Sequence, residues 1–215
     1  AFLGCGFITQ VHSRHLRRLS SEIVCSYASP HRSKAEQFRR RFNGVRSYGN
    51  YEEAMTDASV DAVVVAVPPR FHLELTLQAL QAGKHVLVEK PAFPRLADYH
   101  TVLAAKGQAR KVVVIGENDH YKPLAVCLRA FLKQGAIGEM VFGHFTTLVK
   151  KFKPPDDWRN DETMAGGDAF FEEGIHWLHL AASLGPRIVR IAGFRPSPAV
   201  GGSDRRAKSM MVAFE

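Results

Sequence analysis

The first fifteen residues decide the fold: Ala1-Phe2-Leu3-Gly4-Cys5-Gly6-Phe7-Ile8-Thr9-Gln10-Val11-His12-Ser13-Arg14-His15. An apolar start runs into two glycines separated by one residue, and then into a stretch with helical spacing. Glycines this close weaken a strand or a helix, so their place implies a turn whose backbone something must approach. In a dinucleotide site the first glycine makes the tight turn from strand to helix, and the second admits a pyrophosphate. The helix N-terminus then adds amide donors and a favourable dipole. Gly4 and Gly6 take those two places, and Phe7 and Ile8 open the helix. Thr9 replaces the third glycine of the usual pattern.

Outward from this turn, apolar runs alternate with helix-patterned stretches up to about residue 117. "AFLG" leads to a helix over Phe7–Leu19, and "EIVCSYA" to one over Arg32–Phe42. "DAVVVAVP" leads to Phe71–Ala82, "HVLVEKP" to Arg95–Lys106, and "KVVVIGE" closes the series. Short Val- and Ile-rich runs suit strands buried on both faces. Strand and helix in strict alternation imply a parallel sheet with right-handed crossovers, a doubly wound α/β domain over residues 1–118. The rhythm then changes. A helix at Leu124–Gln134 is followed by a long strand through "EMVFGHFTTLVKKF", a loop, and a helix through "AFFEEGIHWLHLAASLG". "RIVRIAGFRP" and "KSMMVAFE" read as two further strands, so residues 119–215 form a second α/β domain with a mainly antiparallel sheet. The chain stops inside a strand pattern, and further strands are expected beyond Glu215.

The end of the second strand bears on the cofactor. An NAD site has an acidic residue there for the ribose 2′-hydroxyl. This chain has "YASPHRSKA", with Ser29 near that position and no carboxylate before Glu36. A carboxylate repels a 2′-phosphate, whereas Ser29, Arg32 and Lys34 can bind one. NADP is therefore expected in preference to NAD.

The bulk composition narrows the function classes. Hydrophobic residues make up 46% and charged residues 23% of the chain, the proportions of an ordinary globular protein. No apolar run approaches the ~20 residues that span a bilayer, so no membrane partner is expected. The formal charge is +8, but the basic residues are spread out and no nucleic-acid-binding motif accompanies them. An anionic small ligand suits that charge better than nucleic acid. Cys5, Cys25 and Cys127 are odd in number and far apart, which fits neither a disulfide framework nor a zinc ladder. They suit a reducing cytoplasm.

At "VVVAVPPRFHLELTLQALQAGKHVLVEKPAF" the chain resembles the Gfo/Idh/MocA oxidoreductases, the glucose–fructose oxidoreductase and inositol dehydrogenase family. The resemblance extends over the Gly-Cys-Gly turn with His12 beyond it, "GAIGEM", "DWRND" and "GGDAFFEEGIHWLHL". It implies a Rossmann domain, then a substrate-binding α/β domain whose open sheet joins subunits of a homo-oligomer. It further implies hydride transfer between NAD(P) and a hydroxyl-bearing carbon of a sugar, cyclitol or related carbohydrate. Lys90 in Glu89-Lys90-Pro91 follows a strand at its carboxyl end, where ligands bind in open α/β sheets. The resemblance assigns Lys90 to cofactor and substrate, with Glu89 orienting it, and places Val67, Pro68 and His72 beside the cofactor.

In the second domain Glu172, His176 and His179 lie four and three residues apart, on one helical face. His176 is the candidate proton acceptor and Glu172 its orienting carboxylate. The family usually has Asp at Glu172 and often Asp at His179. His120, Tyr121, Lys122, Trp158 and Arg159 are candidate substrate contacts. Glu172, His176 and His179 can also converge on an ion, but the resemblance argues against a metal and none is expected. The rival function class is a catalytically silent NAD(P)-binding sensor or scaffold, separated from the enzyme by whether any substrate reduces the bound cofactor.

Overall fold

The computed structural model describes residues 1–146, 154, 156–167, 170–185, 187–194 and 211–215. It divides into two compact units, Ala1–Gly116 and Glu117–Glu215.

The first unit is a six-stranded, wholly parallel sheet in the order β3-β2-β1-β4-β5-β6. The strands are β1 (Phe2–Leu3), β2 (Ser26–Ala28), β3 (Arg46–Tyr48), β4 (Ala62–Val65), β5 (His85–Glu89) and β6 (Val113–Gly116). Helices α1 (Phe7–Leu16), α2 (Arg32–Phe42), α3 (Tyr51–Thr56), α4 (His72–Gln81) and α5 (Leu96–Ala109) provide the crossovers. Successive strand residues point to opposite faces, and the core divides accordingly. Leu3, Val63, Val65 and Val88 are fully buried in one cluster with α4 residues such as Leu75 and Leu80. Phe2 and Tyr27 belong to the other cluster, with Phe38 and Phe42 of α2. Their rings stack with centroids 5.6 Å apart. The strand order reverses between β1 and β4, where Phe2 is in register with Tyr27 on one side and Val64 on the other.

The alternation read from the sequence is present, with differences at its edges. The first helix passes into a 3₁₀ turn at Arg17–Leu19. The fourth begins at His72 after a 3₁₀ turn at Pro69–Phe71. β3 and α3 were not expected. α3 is short but well capped: the Asn50 side chain accepts from the Glu53 N–H at 2.8 Å, and the Glu53 carboxylate accepts in return from the Asn50 amide and the Gly49 N–H.

In the second unit, a 3₁₀ turn at Asn118–Tyr121 leads to α6 (Pro123–Lys133), which has proline at its start. After α7 (Glu162–Ala165), Phe170–Gly174 winds as a wider π-type turn into α8 (Ile175–Ala182). β7 (Ile191–Phe194) and β8 (Met211–Phe214) pair antiparallel, Ile191 opposite Phe214. Ile191, Phe194 and Met211 expose their side chains. Residues 139–146 do not form the expected strand, and the rest of that stretch, 147–152, lies outside the described residues. Val141 and Phe142 are exposed here, at 96% and 84%, so the stretch lacks the buried face that holds a strand. No described helix is long and apolar enough to cross a membrane.

Candidate cofactor cradle and acid–base centre

The turn after β1 is built on two glycines with different constraints. Gly4 has φ +106°, and a Cβ there would meet the Ala66 carbonyl oxygen at 2.5 Å, so the close approach of β1 to the end of β4 excludes any side chain. Gly6 caps α1 with extended backbone and supplies no capping side chain, and among the described residues a Cβ on it would meet nothing within 4 Å. Open space thus stands before the bare N-terminus of a ten-residue helix. That cradle fits the pyrophosphate of a dinucleotide, at the point where the strand order reverses. Phe7 is exposed on the first turn, while Thr9 is fully buried and donates to the Gly4 carbonyl at 2.7 Å. Thr9 therefore ties the helix to the turn in place of the usual third glycine.

Ser29 is buried just beyond β2, where its hydroxyl accepts from the His31 N–H at 3.1 Å. Arg32 and Lys34 are exposed at the start of α2. Glu36, the nearest carboxylate, accepts from Arg39, Arg40 and Ser47. Those bonds hold its carboxyl well below the usual range.

At the other strand ends, buried His72 links two loops. Its Nε2 lies 2.8 Å from the Val67 carbonyl, and its Nδ1 lies 3.0 Å from that of Pro91. Val67 and Pro68, half-buried, are thereby tied to the loop that carries Lys90. Burial pulls His72 below its ordinary value, against the opposing pull of these carbonyls. Glu89 is fixed independently: Oε1 lies 2.6 Å from His12 Nε2, and Oε2 accepts from the Lys90 N–H. A Cβ on Gly116 would come within 3.1 Å of that carboxylate, so β6 leaves it just enough room.

In the second unit the 117–121 turn and α8 meet in two rungs. His176 Nδ1 lies 2.6 Å from Glu117 Oε1, with both side chains nearly buried at 12% and 8% exposure. His120 Nδ1 lies 2.9 Å from His179 Nε2. Glu117 Oε1 also accepts from the Asp119 N–H at 3.0 Å. Burial pushes the Glu117 carboxyl up, but its bonds with His176 and Asp119 outweigh this and leave it below its ordinary value. Burial, Arg129 and His179 together pull His120 down.

The carboxylate against His176 is therefore Glu117, which the sequence reading did not select. Glu172, expected in that role, accepts instead from Arg159 Nε at 3.0 Å. Arg159 also pairs with Asp157 and stacks over the Trp158 ring. Tyr121 is 70% exposed and sits edge-on to His120. Among the described residues, the group with metal-ligand spacing is Glu117, Asp119 and His176, not Glu172, His176 and His179. No spacing in the sequence marks this partner, since Glu117 and His176 lie 59 residues apart.

The model of an oxidoreductase family with an NAD-binding Rossmann fold matches residues 1–117, and that of the GFO/IDH/MocA C-terminal domain matches 126–214. The chain belongs to the GFO/IDH/MocA family. It is 34% identical over 139 residues to a 1,5-anhydro-D-fructose reductase of Ensifer adhaerens, covering 62% of this chain and 40% of that protein. It is 36% identical over 121 residues to a D-xylose 1-dehydrogenase (NADP(+)) of Hypocrea jecorina, covering 54% and 31%. A levoglucosan dehydrogenase solved with NADH and levoglucosan shares the fold at a TM-score of 0.84 and 20% identity, covering all of this chain and 62% of that one. The GFO/IDH/MocA chain described here spans about half the length of the curated relatives it matches, for example 50% and 56% of two uncharacterised oxidoreductases.

Proposed function

We propose that this GFO/IDH/MocA protein is an NAD(P)-dependent oxidoreductase acting on a hydroxyl or keto carbon of a sugar, cyclitol or related carbohydrate. NADP is the favoured cofactor. The observation that carries the reading is the 2.6 Å contact between His176 Nδ1 and Glu117 Oε1. An ionised carboxylate only accepts, so the hydrogen sits on Nδ1, and a neutral ring then keeps its lone pair on Nε2. That nitrogen can take a hydroxyl proton as an alcohol is oxidised, and Glu117 stabilises the imidazolium that results. Glu117 thus takes the orienting role, while Glu172 holds Arg159.

The reading gives Lys90 the task of donating to the substrate oxygen and stabilising its developing charge. Glu89, held by His12, fixes the backbone from which Lys90 projects. Gly4, Gly6, Phe7, Ile8, Val67, Pro68 and His72 hold or shape the cofactor site, and Ser29, Arg32 and Lys34 face the 2′-phosphate. When bound, the nicotinamide ring supplies the hydride acceptor or donor. His120, Tyr121, Trp158 and Arg159 contact substrate. The relatives named for 1,5-anhydro-D-fructose and for D-xylose with NADP(+) support both the substrate class and the cofactor. The first unit, Ala1–Gly116, serves the cofactor and the second, Glu117–Glu215, the substrate, with self-association through the exposed face of β7 and β8.

The test is to saturate the protein with NADP⁺ and offer aldoses, polyols and cyclitols in turn, following absorbance of the reduced nicotinamide. Reduction by members of this panel is expected. Tight cofactor binding with no reduction by any of them would favour the silent sensor.

A further inference from the structure

The turn after β6 brings two carboxylates to one imidazole. From His176 Nδ1, Glu117 Oε1 lies at 2.6 Å and Asp119 Oδ1 at 3.9 Å. One ligand atom from each residue falls within 4.8 Å of the other two. Two carboxylate oxygens and an imidazole nitrogen form a donor set for zinc-class divalent ions. A tetrahedral zinc with bonds of about 2.0–2.2 Å holds its ligand atoms about 3.3–3.5 Å apart. The short separation must open and the long one close, each by less than about 1 Å, within the reach of small side-chain rotations.

A second observation points to a ligand. The Glu117 side chain is only 8% exposed, and among the described residues its Oε2 has no hydrogen-bond partner. A buried carboxylate oxygen normally has one, because an unpaired one loses its solvation without compensation. Lys122 occupies Asp119 Oδ2 at 2.7 Å, which leaves Oδ1 on the side of His176.

We propose that Glu117, Asp119 and His176 bind a zinc-class divalent cation that replaces the hydrogen on His176 Nδ1. That proton leaves to solvent as the metal–nitrogen bond forms. An imidazole bound through Nδ1 carries its remaining hydrogen on Nε2, and so has no lone pair with which to accept a proton. The cation therefore silences the acid–base centre. This inhibitory half rests on the function proposed above; the binding half does not.

The test uses the full chain with Co²⁺, read by its visible absorption, and Zn²⁺, read by competition with a chromophoric chelator. One equivalent should bind, and Asp119→Asn and Glu117→Gln should each weaken it by about tenfold or more, since even outer-shell losses cost about that much. Asp119 lies outside the proton-transfer pair, so Asp119→Asn should keep its turnover while losing inhibition by Zn²⁺. Cys127 is an exposed free thiol, so the titration is repeated in Cys127→Ser, where uptake should persist. Equal affinity in the wild type and both variants, or uptake abolished by Cys127→Ser, would overturn the site. Binding weakened in Asp119→Asn without inhibition of a measurable wild-type turnover would overturn the inhibitory half. If no turnover exists, the oxidoreductase reading fails, and the binding comparison alone decides the site.

Discussion

Gly4 and Gly6 are two residues apart and do different work. Gly4 has positive φ and faces a backbone oxygen that cannot yield, so Gly4→Ala should destabilise the fold by at least about 1–3 kcal/mol, the cost of one strained residue. Gly6 has open space before it, so Gly6→Ala should unfold at nearly the wild-type denaturant midpoint yet bind NADP⁺ more weakly. Chemical denaturation and cofactor titration of both variants check the contrast. At Ser29 the hydroxyl already accepts a backbone N–H, a bond that Asp can keep while adding a charge. Ser29→Asp should therefore turn an NADPH preference into an NADH preference by repelling the 2′-phosphate, measured by titration with both cofactors. Lys90→Ala should retain cofactor binding and lower turnover by ~10²–10³, the scale of a lost oxyanion donor.

Among the elements, the two loops tied by His72 have a pH dependence with a definite sign. Burial lowers the folded value of His72 below that of the unfolded chain. Below about pH 6.5 the unfolded chain takes up a proton that the folded protein refuses, so its contribution is complete above that pH and falls as acid is added. Urea unfolding at neutral pH and at about pH 5.5, where free imidazole is charged, should show this loss in the wild type and a smaller one in His72→Gln. The same scale shows what was legible in the sequence. The strands at Ala62–Val65 and His85–Glu89 were evident because burial on both faces demands unbroken Val and Leu. β3 was not, because Arg46-Ser47-Tyr48 lies at the sheet edge, with Arg46 exposed and Ser47 half-buried, and needs no apolar run. Glu117 was missed for another reason. Helical spacing reveals partners a turn apart, whereas Glu117 and His176 are separated by 59 residues and meet only through the fold. The same limit made Glu172 look like the partner of His176, since the two share a helical face in the sequence pattern, while Arg159 takes the Glu172 carboxylate.

At the scale of the whole molecule, one unit holds the Gly4–Gly6 cradle and the other holds the imidazole–carboxylate pair, in a chain that belongs to a family of NAD-binding oxidoreductases. In the proposed reaction His176 accepts the substrate proton through Nε2 while Glu117 holds Nδ1. The most direct measurement is the rate of NADP⁺ reduction by a substrate found in the panel, compared between the wild type and His176→Asn under saturating cofactor. Asn retains a hydrogen-bond donor for Glu117 but has no basic nitrogen, so the fold should persist, as checked by an unchanged denaturation midpoint. If His176 is the proton acceptor, the rate falls by ~10²–10⁴, the usual contribution of a positioned acid–base group, with cofactor affinity unchanged. A rate within a few-fold of the wild type would contradict it and move the proton acceptor to another residue, Tyr121 first.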